Sequence, residues 1–339
     1  MKKKLIIFAL IFLPVFAVSL AILTQSHVKK ESSTVVLSNS NEKESPIQSI
    51  ASQNEVLAEN NSLKLLDASN GQILNVTLEE FMCGAIATEM PVLFQTEALK
   101  AQGVAIFTNC VRARKNKKMQ PNSVDLEVNT KKWLNYTTKE EMKKKWSNSF
   151  DEYYEKLREI VNSIKGLTIK SEGEPIVALF SAMSNGQTEK SSDVFGGKLP
   201  YLVSTPSPSD MLVEGFQTKK EISSQETKKI LKEKFNDIVL PDDKSQWFSV
   251  KETTSTGFVK KIKIGSREFS GQEVRNIFEL RSSTFTMSFL DDKFTFNVRG
   301  HGHGVGMSQQ GAQNMAKEGM TYKEIIGHFY PQTTIEKLI

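Results

Sequence analysis

Residues 78–114 read LEEFMCGAIATEMPVLFQTEALKAQGVAIFTNCVRAR, and the placement of one acid within them decides how the rest is read. Leu78, Phe81, Met82, Ala85 and Ile86 recur at the spacing of one helical face, and the next position on that face is Glu89. Pro91 stops the helix just beyond it. A carboxylate on an apolar stripe points at the interior or at a cleft wall. Burial disfavours its charged form, so Glu89 is a candidate general acid with a raised pKa. A frayed helix end that leaves Glu89 in water is the alternative, because most carboxylates near helix ends are solvated. A second helix follows from Thr96, and the two together supply the core.

What surrounds Glu89 decides between these readings. Glu89-Met90-Pro91, followed by Glu97-Ala98-Leu99-Lys100-Ala101-Gln102, resembles one signature of the stage II sporulation protein D family. A second signature, Gly302-His303-Gly304-Val305-Gly306-Met307-Ser308-Gln309 with Gly311-Ala312, stands near the other end. A shorter echo runs from Asn185-Gly186-Gln187-Thr188-Glu189 through Asp193 and Gly196-Gly197 to Leu199-Pro200-Tyr201-Leu202. The resemblance spans about residues 63–330. It implies a peptidoglycan lytic transglycosylase at work during engulfment in an endospore former, with Glu89 at the catalytic glutamate. It also implies substrate contacts from Lys100, Gln102, Asn185, Gly186, Thr188, Tyr201, Gly304 and Gly306. The implied substrate is glycan already stripped of stem peptides. The implied partners are the sporulation amidase-endopeptidase, stage II sporulation protein P, and its associated membrane protein. Two departures stand out. Where the family has a small residue and then Arg-Thr-Tyr, this chain has Ile106-Phe107-Thr108-Asn109; a His-Ser-Thr type run is replaced by Ser181-Ala182-Met183. The lost polar groups bear on how actively this chain cleaves, and Glu89 is untouched by them.

With 339 residues the chain can bury a sizeable core. Lys2-Lys3-Lys4 precede an apolar run over 5–23, about the length that crosses a bilayer. The lysines place the N-terminus in the cytoplasm and everything after residue 23 outside. An uncleaved single-pass anchor is expected, with 24–62 as a flexible linker and 63–339 as the extracytoplasmic domain. Ser19 and Ala21 would suit a peptidase, and cleavage there is the alternative. The linker is rich in Ser, Asn and Glu and lacks periodicity, as a tether should. The net charge of +5 falls to +2 without the three lysines, and no basic stripe with interleaved aromatics suggests nucleic acid. Cys83 and Cys110 read as small buried apolar residues of the two core helices rather than as a disulfide or a metal pair.

The remaining elements follow in order. Residues 63–76 form a hairpin turning at Ser69-Asn70-Gly71, and 139–164 are helical with a break at Ser147-Asn148. Ile169 and 176–180 flank a turn at Glu172-Gly173-Glu174-Pro175 as a second hairpin. The loop over 184–208 is too long for a connector and is read as a cleft wall. Ser223 with Glu226, Ser270 with Glu273 and Thr321 with Glu324 have capping-box spacing, the middle one opening a helix to Leu280. Hairpins are expected about Thr256-Gly257 and Asp291-Asp292. Mixed strands and helices without regular alternation make the class α+β, helices and antiparallel hairpins around a substrate cleft.

The glycine-histidine loop exposes backbone beside a ligand. Ser308 can cap the helix that follows. Backbone N–H groups there, with His303, Ser308 and Gln309, suit sugar hydroxyls; a tight glycine turn that only packs a strand on a helix is the plainer reading. His301 and His303 lack a third ligand nearby, since His328 lies on the last helix and a catalytic zinc takes three protein ligands. Some family members carry a Cys/His zinc pair after the second helix; residues 128–136, VNTKKWLNY, hold neither. No metal and no cofactor are expected. Water-using glycosidases need two carboxylates; Glu189 and Asp193 are the possible partners of Glu89, each read rather as a loop surface group. A transglycosylase needs only one acid, because the substrate's own C6 hydroxyl attacks. A glycan-binding regulator of a wall amidase is the rival from another class.

Overall fold

The computed structural model describes residues 62–116, 124–129 and 135–338. The anchor expected at 5–23, its cleavage alternative and the tether lie outside these residues. Among the described residues no helix is long and apolar enough to cross a membrane. The fold is mixed α+β.

The chain opens with β1 (Ser62–Asp67) and β2 (Gln72–Thr77), paired antiparallel about the Asn-Gly turn. Then come α1 (Leu78–Glu89) and α2 (Thr96–Asn116). Thr77 caps α1 by accepting from the Glu80 N–H at 3.1 Å, and Met90 turns extended immediately after Glu89, ahead of Pro91. β3 (Leu126–Val128) adds parallel to β1. α3 (Lys139–Trp146) and α4 (Phe150–Ser163) are separated by a 3-10 turn at Ser147–Ser149, where the sequence breaks its apolar faces. β4 (Leu167–Ser171) and β5 (Glu174–Pro175) make a hairpin whose second arm is only two residues long. The expected strand over 176–180 is instead mostly irregular and ends in β6 (Phe180–Ser181).

The long loop holds α5 (Ser191–Phe195) and a 3-10 turn at Pro208–Leu212. Beyond it come β7 (Gln217–Ser223), α6 (Ser224–Lys234), β8 (Phe248–Thr253), β9 (Val259–Ile264) and β10 (Arg267–Phe269). α7 (Gly271–Ile277), β11 (Phe285–Leu290) and β12 (Lys293–Arg299) follow. α7 stops at Ile277 rather than Leu280, and Glu279 takes a left-handed φ of 49°. The chain closes with β13 (Met307–Ser308), α8 (Gln309–Lys317), α9 (Tyr322–Phe329) and β14 (Thr334–Lys337). β13 lies parallel to β6, and β14 pairs with β4. Besides antiparallel pairings, the described residues hold two parallel strand pairs, β1 with β3 and β6 with β13, that join distant parts of the chain.

Apolar side chains gather in two clusters. The larger is built on α2, which packs against α1, α4, α8, α9 and β4. Its Leu99, Val104, Ile106 and Cys110 are almost wholly removed from water. Each large apolar side chain there contributes about 1.5–3 kcal/mol, so Leu99→Ala would cost roughly 2–5 kcal/mol. α1 is buried around nearly its whole circumference, Cys83, Gly84 and Ala87 included. The apolar stripe of the sequence is thus the face of a central helix, not of an amphipathic surface one. The second cluster lies within residues 222–298 and packs Trp247, Phe278, Phe294 and Phe296 between the sheets β10-β9-β8 and β11-β12-β7. The chain leaves the first cluster after the long loop, builds the second, and returns through the glycine-histidine loop.

Candidate active site

Glu89 is the last residue of α1. A helix C-terminus carries the negative end of the backbone dipole, which works against a carboxylate there. Burial works the same way and more strongly: it pushes the Glu89 carboxyl up to about 7. One group opposes it, the Asn135 side-chain amide, which donates to Glu89 Oε1 at 3.0 Å. The result is a partly buried acid that can hold its proton near neutral pH and release it.

The loop after Glu89 is held from three sides. The Phe94 N–H closes it on the Pro91 carbonyl at 2.9 Å. Lys156 Nζ on α4 donates to the carbonyls of Val92 and Phe94 at 2.8 and 2.9 Å. The Gln95 N–H donates to Gln313 Oε1 on α8 at 2.7 Å. Asn135 is placed by its neighbour Tyr136, whose ring stacks on Phe81 of α1. That approach is close because residue 84 is glycine: a Cβ there would stand 2.3 Å from the Thr137 carbonyl oxygen.

The other residues singled out from sequence are mostly engaged inside the protein. Ser308 caps α8 by accepting from the Gly311 N–H at 3.1 Å, and its hydroxyl donates to Asp210 Oδ2 at 2.7 Å. Gln309 Nε2 lies 3.3 Å from Oε1 of the buried Gln102, so the first and last signatures meet between α2 and α8. Lys100 pairs with Glu97 at 2.7 Å, and Glu97 in turn accepts from the Tyr322 N–H. Asn185 Nδ2 donates to the Thr256 carbonyl, Gly186 accepts from the Ser207 N–H, Thr188 Oγ1 accepts from the Thr205 N–H, and the Tyr201 hydroxyl accepts from the Val177 N–H. Gly304 accepts from the Glu189 N–H at 2.7 Å. Gly306 has a φ of 76°, and a Cβ there would lie 1.9 Å from the Leu179 carbonyl oxygen. No larger residue fits that crossing.

His303 is buried against the Phe195 ring, and its Nδ1 accepts from the Val305 N–H at 3.0 Å. Burial pulls its pKa down to about 3. His301 stands 3.0 Å from Arg281 Nη2, and burial with that cation lowers it to about 4. Both rings are neutral at pH 7. A guanidinium beside His301 opposes a metal cation there, and among the described residues no three His, Cys, Asp or Glu side chains cluster as ligands. Cys83 and Cys110 are free and buried, and burial pushes the Cys83 thiol up to about 12.

Three residues were missed or misread in the sequence. Asn135 gives no local signal, being 46 positions from the acid it touches. Asp210 is wholly buried and accepts from the Ser184 N–H, the Ser184 hydroxyl and the Ser308 hydroxyl. Burial raises its pKa against the pull of those donors. Glu189 is not a loop surface group: it is buried between the two clusters and accepts from Thr256 and Thr254 hydroxyls, and burial raises its pKa. Asp193 is partly exposed and pairs with Lys260 at 3.3 Å. The departures at 106–109 are absorbed structurally. Ile106 and Phe107 are core residues, and the Asn109 amide both donates to and accepts from the Ala178 backbone at 3.0 Å.

Residues 67–170 match the model of a family described as stage II sporulation protein. The chain is 32% identical over 277 residues to stage II sporulation protein D of Bacillus subtilis (strain 168), covering 81% of this chain and 79% of that one. Over 277 residues it is 31% identical to stage II sporulation protein D of Bacillus amyloliquefaciens, with the same two shares. It is also 26% identical over 309 residues to the amidase enhancer of Bacillus subtilis (strain 168), covering 74% of this chain but 40% of that one.

Proposed function

The chain belongs to the stage II sporulation protein D family, and from that premise we propose that it is a membrane-anchored lytic transglycosylase acting on denuded peptidoglycan strands during engulfment. The bond cleaved is the β-1,4 link between N-acetylmuramic acid and N-acetylglucosamine. Glu89 donates its proton to the leaving oxygen as the glycosidic bond breaks. The C6 hydroxyl of the same muramic acid then attacks C1, and the Glu89 carboxylate accepts the hydroxyl proton. The products are a free 4-hydroxyl on one side and a 1,6-anhydro end on the other, with Glu89 returned to its starting state. No second carboxylate and no water are consumed.

The observation that carries this reading is a lone acid at the half-buried end of α1, held by the Asn135 amide and pushed up to about 7 by burial. A group that must give a proton and then take one works best with a pKa near the operating pH. On this reading the protein works outside the cytoplasmic membrane beside stage II sporulation protein P. Glu89→Gln keeps the shape and the Asn135 contact but cannot carry the proton. The variant should fold, bind denuded strands and lose at least roughly a hundredfold in turnover; normal cleavage by it would remove the assignment.

A second reading is favoured by the similarity to a protein named amidase enhancer and by the apolar residues at 106–107. It is a glycan-binding regulator of a wall amidase. Binding of strands by both wild type and Glu89→Gln, with cleavage by neither, would select it.

A further inference from the structure

The sheet β11-β12-β7 turns one face to its own core and the other to solvent. The inner face is aromatic: Phe294 meets Trp247, Phe248 and Phe289, and Phe296 meets Phe248, Phe278 and Phe285. Such packing makes the sheet a stiff platform. On the outer face the register sets Thr286, Asn297 and Lys219 in one row across the three strands, with Arg299 and Gln217 paired beside it. These five line an open depression of about 380 Å³. Lys219 is paired with Glu221. Among the described residues the side chains of Gln217, Thr286, Asn297 and Arg299 have no hydrogen-bond or ionic partner within the protein.

The chemistry of this lining selects its occupant. A protein partner is anchored by aromatic and aliphatic side chains in apolar pockets; here the one aliphatic residue of the lining, Val298, is turned into the core, and the outward side chains are all polar or charged. Single-stranded nucleic acid would need aromatic platforms, and the aromatic rings of this sheet face inward. Two amides, a hydroxyl and a planar guanidinium suit a ligand rich in hydroxyl and acetamido groups that also carries a carboxylate, which an arginine fork can take in two parallel bonds. Arg299 further lines, with Glu189 and His303, the small pocket at the seam between the two clusters. Arg299 therefore borders both the depression on the sheet and the pocket beside the glycine-histidine loop.

We propose that this outer sheet face is a binding site for an acidic glycan strand, in which Arg299 takes a sugar-borne carboxylate and Gln217, Asn297 and Thr286 take hydroxyl and acetamido groups. The identity of the ligand rests on the glycan reading of Glu89, but binding is measured apart from cleavage. Full-length protein carrying Glu89→Gln is titrated with long denuded glycan strands and with a muramic acid-containing disaccharide too short to span both sites. Adding Arg299→Gln with Asn297→Ala should weaken long-strand binding roughly tenfold, the scale of one lost charge-assisted hydrogen bond. The melting temperature and disaccharide binding should not move, and Arg299→Lys should recover part of the loss. Unchanged long-strand affinity, an equal loss for the disaccharide, or displacement of strands by an acidic peptide would overturn the proposal. If Glu89→Gln still cleaves, the catalytic reading fails while the Arg299 comparison still reports binding.

Discussion

At the scale of single residues the proposed chemistry turns on how Glu89 is tuned. Burial and the helix end favour its neutral form, and Asn135 alone is seen to favour the charged one. A general acid must be protonated, so turnover should fall as pH rises through about 7. Removing the Asn135 donor withdraws support from the carboxylate, so its pKa rises and the acid survives to higher pH. Asn135→Ala should therefore move the alkaline limb of the pH–rate profile upward, with some loss of maximal rate from poorer positioning. A limb that stays put or moves down would contradict this tuning. The position of Glu89 on an apolar helical face was legible in the sequence, because it follows from periodicity. Asn135 was not, since nothing local marks a residue that meets its partner only after α3 and α4 fold back over α1.

At the scale of elements the close approach at Gly84 does most to shape the site. A methyl group there would collide with the Thr137 carbonyl and the Tyr136 ring, pushing away the segment that carries Asn135. Gly84→Ala should cost about 1–3 kcal/mol in denaturant unfolding, the usual penalty of overpacking. It should also shift the pH–rate profile in the same direction as Asn135→Ala. A destabilised variant with an unchanged profile would separate the two effects and sink the link. Elements defined by local chemistry were readable in advance. Ser270 with Glu273 and Thr321 with Glu324 form full capping boxes, while Ser223 supplies only its own half. Asp291 and Asp292 take φ values of 50° and 59° at the predicted hairpin turn. β7 escaped notice because it is largely polar, and β14 because it is short as well; each pairs with a strand far away in sequence. The expected arm at 176–180 was spent elsewhere, its last residue pairing with Met307.

At the scale of the whole molecule the two apolar clusters are joined by polar groups, and these differ in strength. Asp210 stands where the chain leaves the first cluster and ties Ser184 and Ser308 together out of contact with water. Asp210→Ala would strand those donors and should cost about 3 kcal/mol, read from urea unfolding. The partly exposed Asp193–Lys260 pair should cost far less by the same measurement, as surface ion pairs do. Equal costs for the two would contradict this division. The joint itself brings the glycine-histidine loop, the long loop and α2 against one another, so the sequence signatures at both ends of the domain meet in one body with the helix that ends in Glu89. Whether Glu89 drives transglycosylation is read from the mass of what that body releases from denuded glycan strands. Wild type should release fragments ending in 1,6-anhydro-N-acetylmuramic acid, lighter by one water than hydrolysis products, and Glu89→Gln should release none. Products carrying only reducing ends would contradict transglycosylation.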